Sequence, residues 1–236
     1  MKTILFVFAH PDDETFTVGG TLTEFAEMQD VQTIVYSATP GDAGKCGNPP
    51  ICTKEELADV RTDEFKKATG ILGVDHAIIG KFQDGKLTSI PVEEIAGEVS
   101  KLIAEFHPEV VVTFPPHGLS GHADHKAIQK ATYQAVTGST NKVEKLYYAT
   151  FPESVAAKNG NPPFSDPDEN ISVAKSFSQQ QMDTVRKALL AHRTQHLSVE
   201  RVFKNLDKKP FNKFNNKEYY VLAWSREGIT DSSTLI

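Results

Sequence analysis

Short apolar runs rich in β-branched residues alternate with longer amphipathic segments through the first two-thirds of the chain, and no other feature restricts the fold as much. The runs are Ile4–Ala9, Thr33–Ala38, Ala77–Gly80, Glu109–Phe114 and Lys145–Phe151, the fourth holding Val110-Val111-Val112-Thr113. Between them, helical patterns run from Glu14 to Gln29, from Thr53 to Gly70, from Pro91 to Phe106 and from His122 to Val136. Thr53 and Glu56 make a capping-box pair. Pro91 sits in a first helical turn, where a missing N–H leaves no bond unmade. Buried strands each followed by a helix predict an α/β fold, a mainly parallel sheet with helices on both faces. The last third is less regular: Asn159–Asp168 reads as loop, Ile171–Ala174 as strand, Gln179–His192 as helix and Tyr219–Trp224 as a final strand. With no repeat, heptad array or internal boundary, residues 1–236 are expected to form a single domain.

Composition narrows the function classes. The chain has 31 acidic and 25 basic side chains and a formal charge of −6. A sequence-independent nucleic-acid binder needs a basic footprint instead. No stretch approaches the roughly 20 apolar residues of a membrane span. The run Thr3–Ala9 is short for a signal peptide and ends in His-Pro-Asp-Asp-Glu, without a small-residue cleavage site. A cytoplasmic protein with neither a nucleic-acid nor a membrane partner is expected. Cys46 and Cys52 are too few for a disulfide framework and read as unpaired thiols.

Two polar clusters fall at predicted strand ends, where an open α/β sheet binds its ligands. One is His10-Pro11-Asp12-Asp13-Glu14 and the other is His117-Gly118-Leu119-Ser120-Gly121-His122-Ala123-Asp124-His125. Imidazole and carboxylate together suit a divalent ion such as Zn²⁺. Two His and one carboxylate with an open position is a catalytic pattern, whereas a structural zinc site is closed by four protein ligands. Two adjacent carboxylates are costly in one buried spot unless a cation neutralises them. A metal would take one and leave the other free as a base. Each element also has a plain structural reading. Asp-Asp-Glu after a strand can be a helix N-cap with an acidic first turn, and His-x-x-His is frequent on helix surfaces. The pairing of both clusters at strand ends favours the metal.

Ala9-His10-Pro11-Asp12-Asp13-Glu14, with Gly121-His122-Ala123-Asp124-His125 downstream, resembles the LmbE/PIG-L family of zinc-dependent N-acetylglucosaminyl deacetylases. That family includes the mycothiol and bacillithiol deacetylases, and the chain is most similar to the bacillithiol type. The resemblance covers about residues 3 to 196 and implies a Rossmann-like fold. It implies His10, Asp13 and His125 as metal ligands, for Zn²⁺ with Fe²⁺ as the alternative. It implies Asp12 as the general base acting on a metal-activated water. His122 would stabilise the oxyanion or assist the departing amine, with Asp124 as its carboxylate partner, raising its pKa. Arg61 and Asp84 match substrate contacts, their plain readings being an Arg61–Glu64 surface pair and a turn aspartate before Gly85. Glu14 would stand behind the ligands, and His192 keeps a chance of lining the pocket. Ser120 stands where some members carry a mobile Tyr.

The expected function is therefore hydrolysis of the N-acetyl group of an N-acetylglucosamine-containing small molecule. An amino-sugar substrate and a homo-oligomer, trimeric or hexameric, are the expected partners. Two alternatives are hydrolysis of another amide, with the same machinery and a different pocket, and a non-catalytic Rossmann-like ligand-binding module. The second would need a G-x-G-x-x-G turn after the first strand, where this chain has His-Pro-Asp-Asp-Glu. The glycine-rich stretch Gly41–Asn48 reads either as a substrate lid or as an ordinary connection.

Overall fold

Strand β1 (Lys2–Phe8) is buried from Thr3 onward. A strand apolar on both faces needs neighbours on both edges and cover above and below. It finds them in β2 (Val31–Ser37) on one side and β4 (Val110–Thr113) on the other, both parallel to it. Beyond β2 lies β3 (His76–Ile79), and beyond β4 lies β5 (Lys145–Thr150), also parallel. The structure is a computed structural model, and it describes residues 1–138, 142–158, 164–204, 206, 216–228 and 234–235. Among these, seven strands form one sheet in the order β3-β2-β1-β4-β5-β7-β6. The last two, β6 (Val173–Ser176) and β7 (Lys217–Ser225), reverse the pattern: β7 runs antiparallel to both β5 and β6. The sheet is thus mainly parallel, as expected, with an antiparallel edge that the periodicity does not specify.

Right-handed crossovers decide which face each helix covers. Helices α1 (Asp13–Ala26) and α2 (Leu57–Leu72) carry the chain outward from β1 to β2 to β3 and share one face. Helix α3 (Val92–Phe106) returns the chain across the sheet to β4, and α5 (Ala123–Thr137) continues to β5, so these cover the other face. The packing agrees: α3 meets α5, whereas α1 meets α2 and α7 (Gln179–Ala191). Short helices α4 (Gly118–Gly121), α6 (Glu153–Lys158) and α8 (His196–Val202) were not expected from the periodicity; each is too short to show a repeat. The reciprocal bonds of the Thr53–Glu56 pair form, with Thr53 N–H on Glu56 Oε2 at 2.9 Å and Glu56 N–H on Thr53 Oγ1 at 3.3 Å, but they lie in the turn ahead of α2, whose N-cap is Glu56 and not Thr53. The first half of the loop read at Asn159–Asp168, residues 159–163, lies outside the described residues.

The core is continuous across the sheet, with Ile4, Phe6, Phe8, Ile34, Val111, Tyr147 and Tyr220 fully buried. The order of strands reverses direction between β1 and β4. Their carboxyl ends therefore diverge into a crevice, and both polar clusters sit there. No helix among the described residues is long and apolar enough to cross a membrane.

Candidate active site

Three side chains converge in the crevice, Asp13 facing the two imidazoles with different oxygens. His10 Nδ1 lies 3.4 Å from Asp13 Oδ2, His125 Nε2 lies 3.2 Å from Asp13 Oδ1, and the two ring nitrogens are 3.3 Å apart. Ligands at about 2.0–2.1 Å from a tetrahedral zinc would be separated by about 3.3 Å, so this spacing fits one ion. Each imidazole is held from behind through its other nitrogen. His125 Nδ1 is 2.9 Å from the Gly118 carbonyl and 3.3 Å from Ser120 Oγ, and its ring stacks on Phe114 at 4.0 Å. His10 Nε2 is 2.9 Å from Asp84 Oδ1 and 3.2 Å from Asp124 Oδ2. By ligand-atom spacing among the described residues, His10, His122 and His125 form one possible ligand group and His10, Asp84 and Asp124 another, with Asp13 in neither. Asp84 and Asp124 meet the His10 nitrogen that faces away from Asp13, which suits them to orient His10. His122 is exposed at the open side of the cluster.

Charge follows this geometry. Burial pushes the His10 imidazolium down, but Asp124, Asp13 and Asp84 more than reverse it, and its pKa stands well above the usual imidazole range. Burial pushes Asp13 up, and His125 and His10 outweigh that, holding it well below the usual carboxylate range. A cation would replace the proton that His10 otherwise carries.

Asp12 lines the same cavity without joining these contacts. It occupies the N-cap of α1 with φ 116° and ψ −30°, yet its side chain caps nothing. Its carboxylate lies 3.3 Å from the Arg61 guanidinium. Burial drives its pKa up to about 6, Arg61 pulls it down, and Asp13 and Glu14 push it up. Arg61 itself is 3 % exposed. It donates to the Gly41 carbonyl at 2.9 Å and to the Pro11 carbonyl. The alternative reading, a surface pair with Glu64, does not hold, since Arg61 is buried and Glu64 accepts from the Thr194 N–H and hydroxyl at 2.8 and 2.6 Å. Arg61 lines the cavity while bracing the loop that carries Asp12.

The structure differs from expectation at Asp124 and His122. The Asp124 carboxylate, 0 % exposed, meets His10 and the N–H groups of Gly85 and Leu87 at 2.6 and 3.1 Å. His122 instead receives the Asp124 backbone N–H on Nδ1 at 3.2 Å. Its pKa is lowered, by burial first and then by His10 and His125, against a smaller upward pull from Asp124. Both Asp124 oxygens are engaged, Oδ2 by His10 and Gly85 and Oδ1 by Leu87, so the loop after β3 draws the carboxylate inward. Asp84 also has both oxygens engaged by protein groups, Oδ2 accepting from Ala43 N–H at 3.1 Å. It still lines the cavity. Ser120 lies against His125 and accepts the His122 N–H at 3.4 Å.

The cavity over the cluster has a volume of about 1000 Å³. Ala43 and Gly44 of the glycine-rich loop line one side. That loop is tied down by Gln195 Nε2 on the Lys45 carbonyl at 2.9 Å and by Lys54 on the Ala43 and Gly44 carbonyls. Cys46 and Cys52 are free thiols. The far wall comes from Phe16, Phe177, Met182 and Phe203. The C-terminal residues among these went unread because their spacing looks like ordinary core packing. His117 pairs with Asp166 at 3.1 Å and receives the Leu119 N–H.

A histidine–carboxylate cluster with a second, Arg61-paired carboxylate beside it, in the crevice of a mainly parallel α/β sheet, marks the class of α/β proteins with a polar ligand site at the strand ends. Residues 5–136 match the family described as PIG-L, GlcNAc-PI de-N-acetylase. This protein belongs to that family. It is 34% identical over 161 residues to a probable N-acetyl-α-D-glucosaminyl L-malate deacetylase 2 of Bacillus anthracis, covering 67% of this chain and 70% of that one. It is 30% identical over 272 residues to a 1D-myo-inositol 2-acetamido-2-deoxy-α-D-glucopyranoside deacetylase of Mycolicibacterium vanbaalenii, covering 97% and 93%. The fold is shared with the N,N'-diacetylchitobiose deacetylase of Pyrococcus horikoshii, with a TM-score of 0.66 and 19% identity over 93% of this chain and 82% of that one.

Proposed function

We propose that this protein is a metal-dependent N-deacetylase that releases acetate from a small molecule containing N-acetylglucosamine. The observation that carries this reading is the mutual 3.2–3.4 Å spacing of His10 Nδ1, the Asp13 carboxylate and His125 Nε2, with Asp12 beside them. Those three residues would hold the ion, Zn²⁺ or Fe²⁺. When bound, it would polarise the acetamide carbonyl and lower the pKa of water to about 7. Asp12 lines the same cavity and is not among those three donors. It accepts the proton of the attacking water, a role that needs reach and a carboxylate kept aimed by its surroundings. His122 faces the cavity from the second cluster. It hydrogen-bonds the developing oxyanion or the departing amine. Asp124 and Asp84 hold His10 as a ligand, and Arg61 fixes Asp12, while its guanidinium edge remains part of the cavity wall.

Relatives acting on malate and inositol conjugates of the acetylated amino sugar guide the choice of substrates. Acetate release is measured with N-acetylglucosamine, its malate and inositol conjugates, and N,N'-diacetylchitobiose. We expect close to one equivalent of metal per chain and turnover of at least one conjugate. Both should vanish in His10→Ala and His125→Ala. A protein that binds no divalent ion, or is loaded and releases no acetate from any of the four, would overturn the reading.

A further inference from the structure

Glu14 and His192 take no part in the roles just assigned, yet they are among the most buried polar residues of the chain, at 0 % and 1 % exposed. Glu14 lies in the first turn of α1, and His192 follows the end of α7. Glu14 Oε2 accepts the Asp12 N–H at 3.1 Å. Glu14 Oε1 accepts the Thr15 hydroxyl at 2.5 Å and lies 3.2 Å from His192 Nε2. His192 Nε2 is also 3.3 Å from Thr15 Oγ1. His192 Nδ1 is buried with no hydrogen-bond partner among the described residues, so the polar contacts of this side chain rest on Nε2.

These contacts bear on the strained residue of the site. At φ 116°, Asp12 has a backbone that non-glycine residues rarely adopt and that persists only where its surroundings enforce it. Arg61 grips it from one side, through the Pro11 carbonyl and the Asp12 carboxylate. Glu14 grips the Asp12 N–H from the other. A fully buried carboxylate is itself costly unless donors surround it. The Asp12 N–H, the Thr15 hydroxyl and His192 supply those donors.

We propose that His192 is a positioning residue: through Glu14 it holds the Asp12 peptide in its left-handed conformation and so keeps the Asp12 carboxylate aimed into the cavity. The link to catalysis rests on the reading of Asp12 as proton acceptor given above. The restraint on the Asp12 N–H does not.

The test is the exchange rate of the Asp12 amide proton, followed by NMR in the full-length protein with zinc added. His192→Leu fills similar space without a donor. His192→Gln returns a donor near the position of Nε2. In His192→Leu the Asp12 amide is expected to exchange at least about tenfold faster, and in His192→Gln to stay within about threefold of the parent. Metal content should be unchanged in both. The kcat for acetate release should fall by about 10- to 100-fold in His192→Leu with KM within about twofold, as for a displaced catalytic group. In an Asp12→Asn background His192→Leu should lower the residual rate no further. Unchanged Asp12 exchange in His192→Leu, or an equal loss of rate in the Asp12→Asn background, would overturn the proposal. Should His192→Leu fail to fold, Thr15→Val withdraws the other donor to Oε1, and an unchanged Asp12 amide there would be equally fatal. A protein with the expected exchange pattern and no acetate release supports the positioning role and sinks the deacetylase reading alone.

Discussion

Asp12 and Asp13 are neighbours in sequence and opposites in environment. Asp13 sits between two imidazoles and is held well below the usual carboxylate range, because His125 and His10 outweigh its burial. Asp12 faces one guanidinium and is raised to about 6, chiefly by burial. Two carboxylates pushed apart in this way suit different tasks. Asp12→Asn preserves shape and removes the acceptor. It is expected to keep the metal and lose about 10²- to 10⁴-fold in kcat, the usual span for a general base. Metal analysis and acetate release on one preparation check both halves, and a near-normal rate would remove Asp12 from the chemistry. At this scale the residues that meet in the crevice were legible as candidates, because His10-Pro11-Asp12-Asp13 and His122-Ala123-Asp124-His125 each carry their polar groups in one short string. The partners of Asp124 and Asp84 were not. Both turn toward His10, a relation between three separate segments that no local spacing encodes.

At the scale of elements, the Gly19-Gly20 pair inside α1 is costly for an isolated helix. Its reason lies in the neighbours. A Cβ at Gly20 would stand 2.4 Å from the Phe177 ring, and one at Gly19 would stand 3.0 Å from Val185. The glycines let α1 lie close to Phe177 and to Val185 of α7, both of which line the cavity. Gly20→Ala is therefore expected to destabilise the protein by about 1–3 kcal/mol, the usual cost of overpacking, rather than to stabilise it as a helical Gly→Ala change would in the open. Urea unfolding midpoints distinguish the two signs. The helix-sized segments α1, α2, α3, α5 and α7 were readable from period and caps. The antiparallel direction of β7 was not, since a strand's apolar pattern is the same in either direction.

At the scale of the whole molecule, the ion is expected to join segments that otherwise repel or desolvate one another. Removing a ligand held at about 100 times its dissociation constant costs about 2.7 kcal/mol. For a domain of this size each kcal/mol shifts the midpoint by about 2–4 °C. Chelation should thus lower the thermal midpoint by about 5–10 °C. The effect should depend on pH. His10 has a raised pKa: burial lowers it, but Asp124, Asp13 and Asp84 raise it more. Its proton stabilises the ion-free protein fully below about pH 6.5, and this contribution is lost as pH rises through the raised value. Asp13 is lowered, so its contribution is present above about pH 3.9 and lost as pH falls through its depressed value. Proton and ion compete for His10 Nδ1. The chelation shift should accordingly be larger at about pH 8 than at about pH 5.5; equal shifts at both would mean that His10 is not a ligand.

The sequence by itself determined the α/β class, the parallel half of the sheet and the two polar clusters that meet at the strand ends, because periodicity and short motifs are properties of neighbouring residues. Only the tertiary structure decided which face each carboxylate turns to, that Arg61 is interior rather than at the surface, and that His192 reaches Glu14. Those relations depend on how strands order themselves and on which buried polar groups must find partners, and that is settled by packing between segments far apart in the chain.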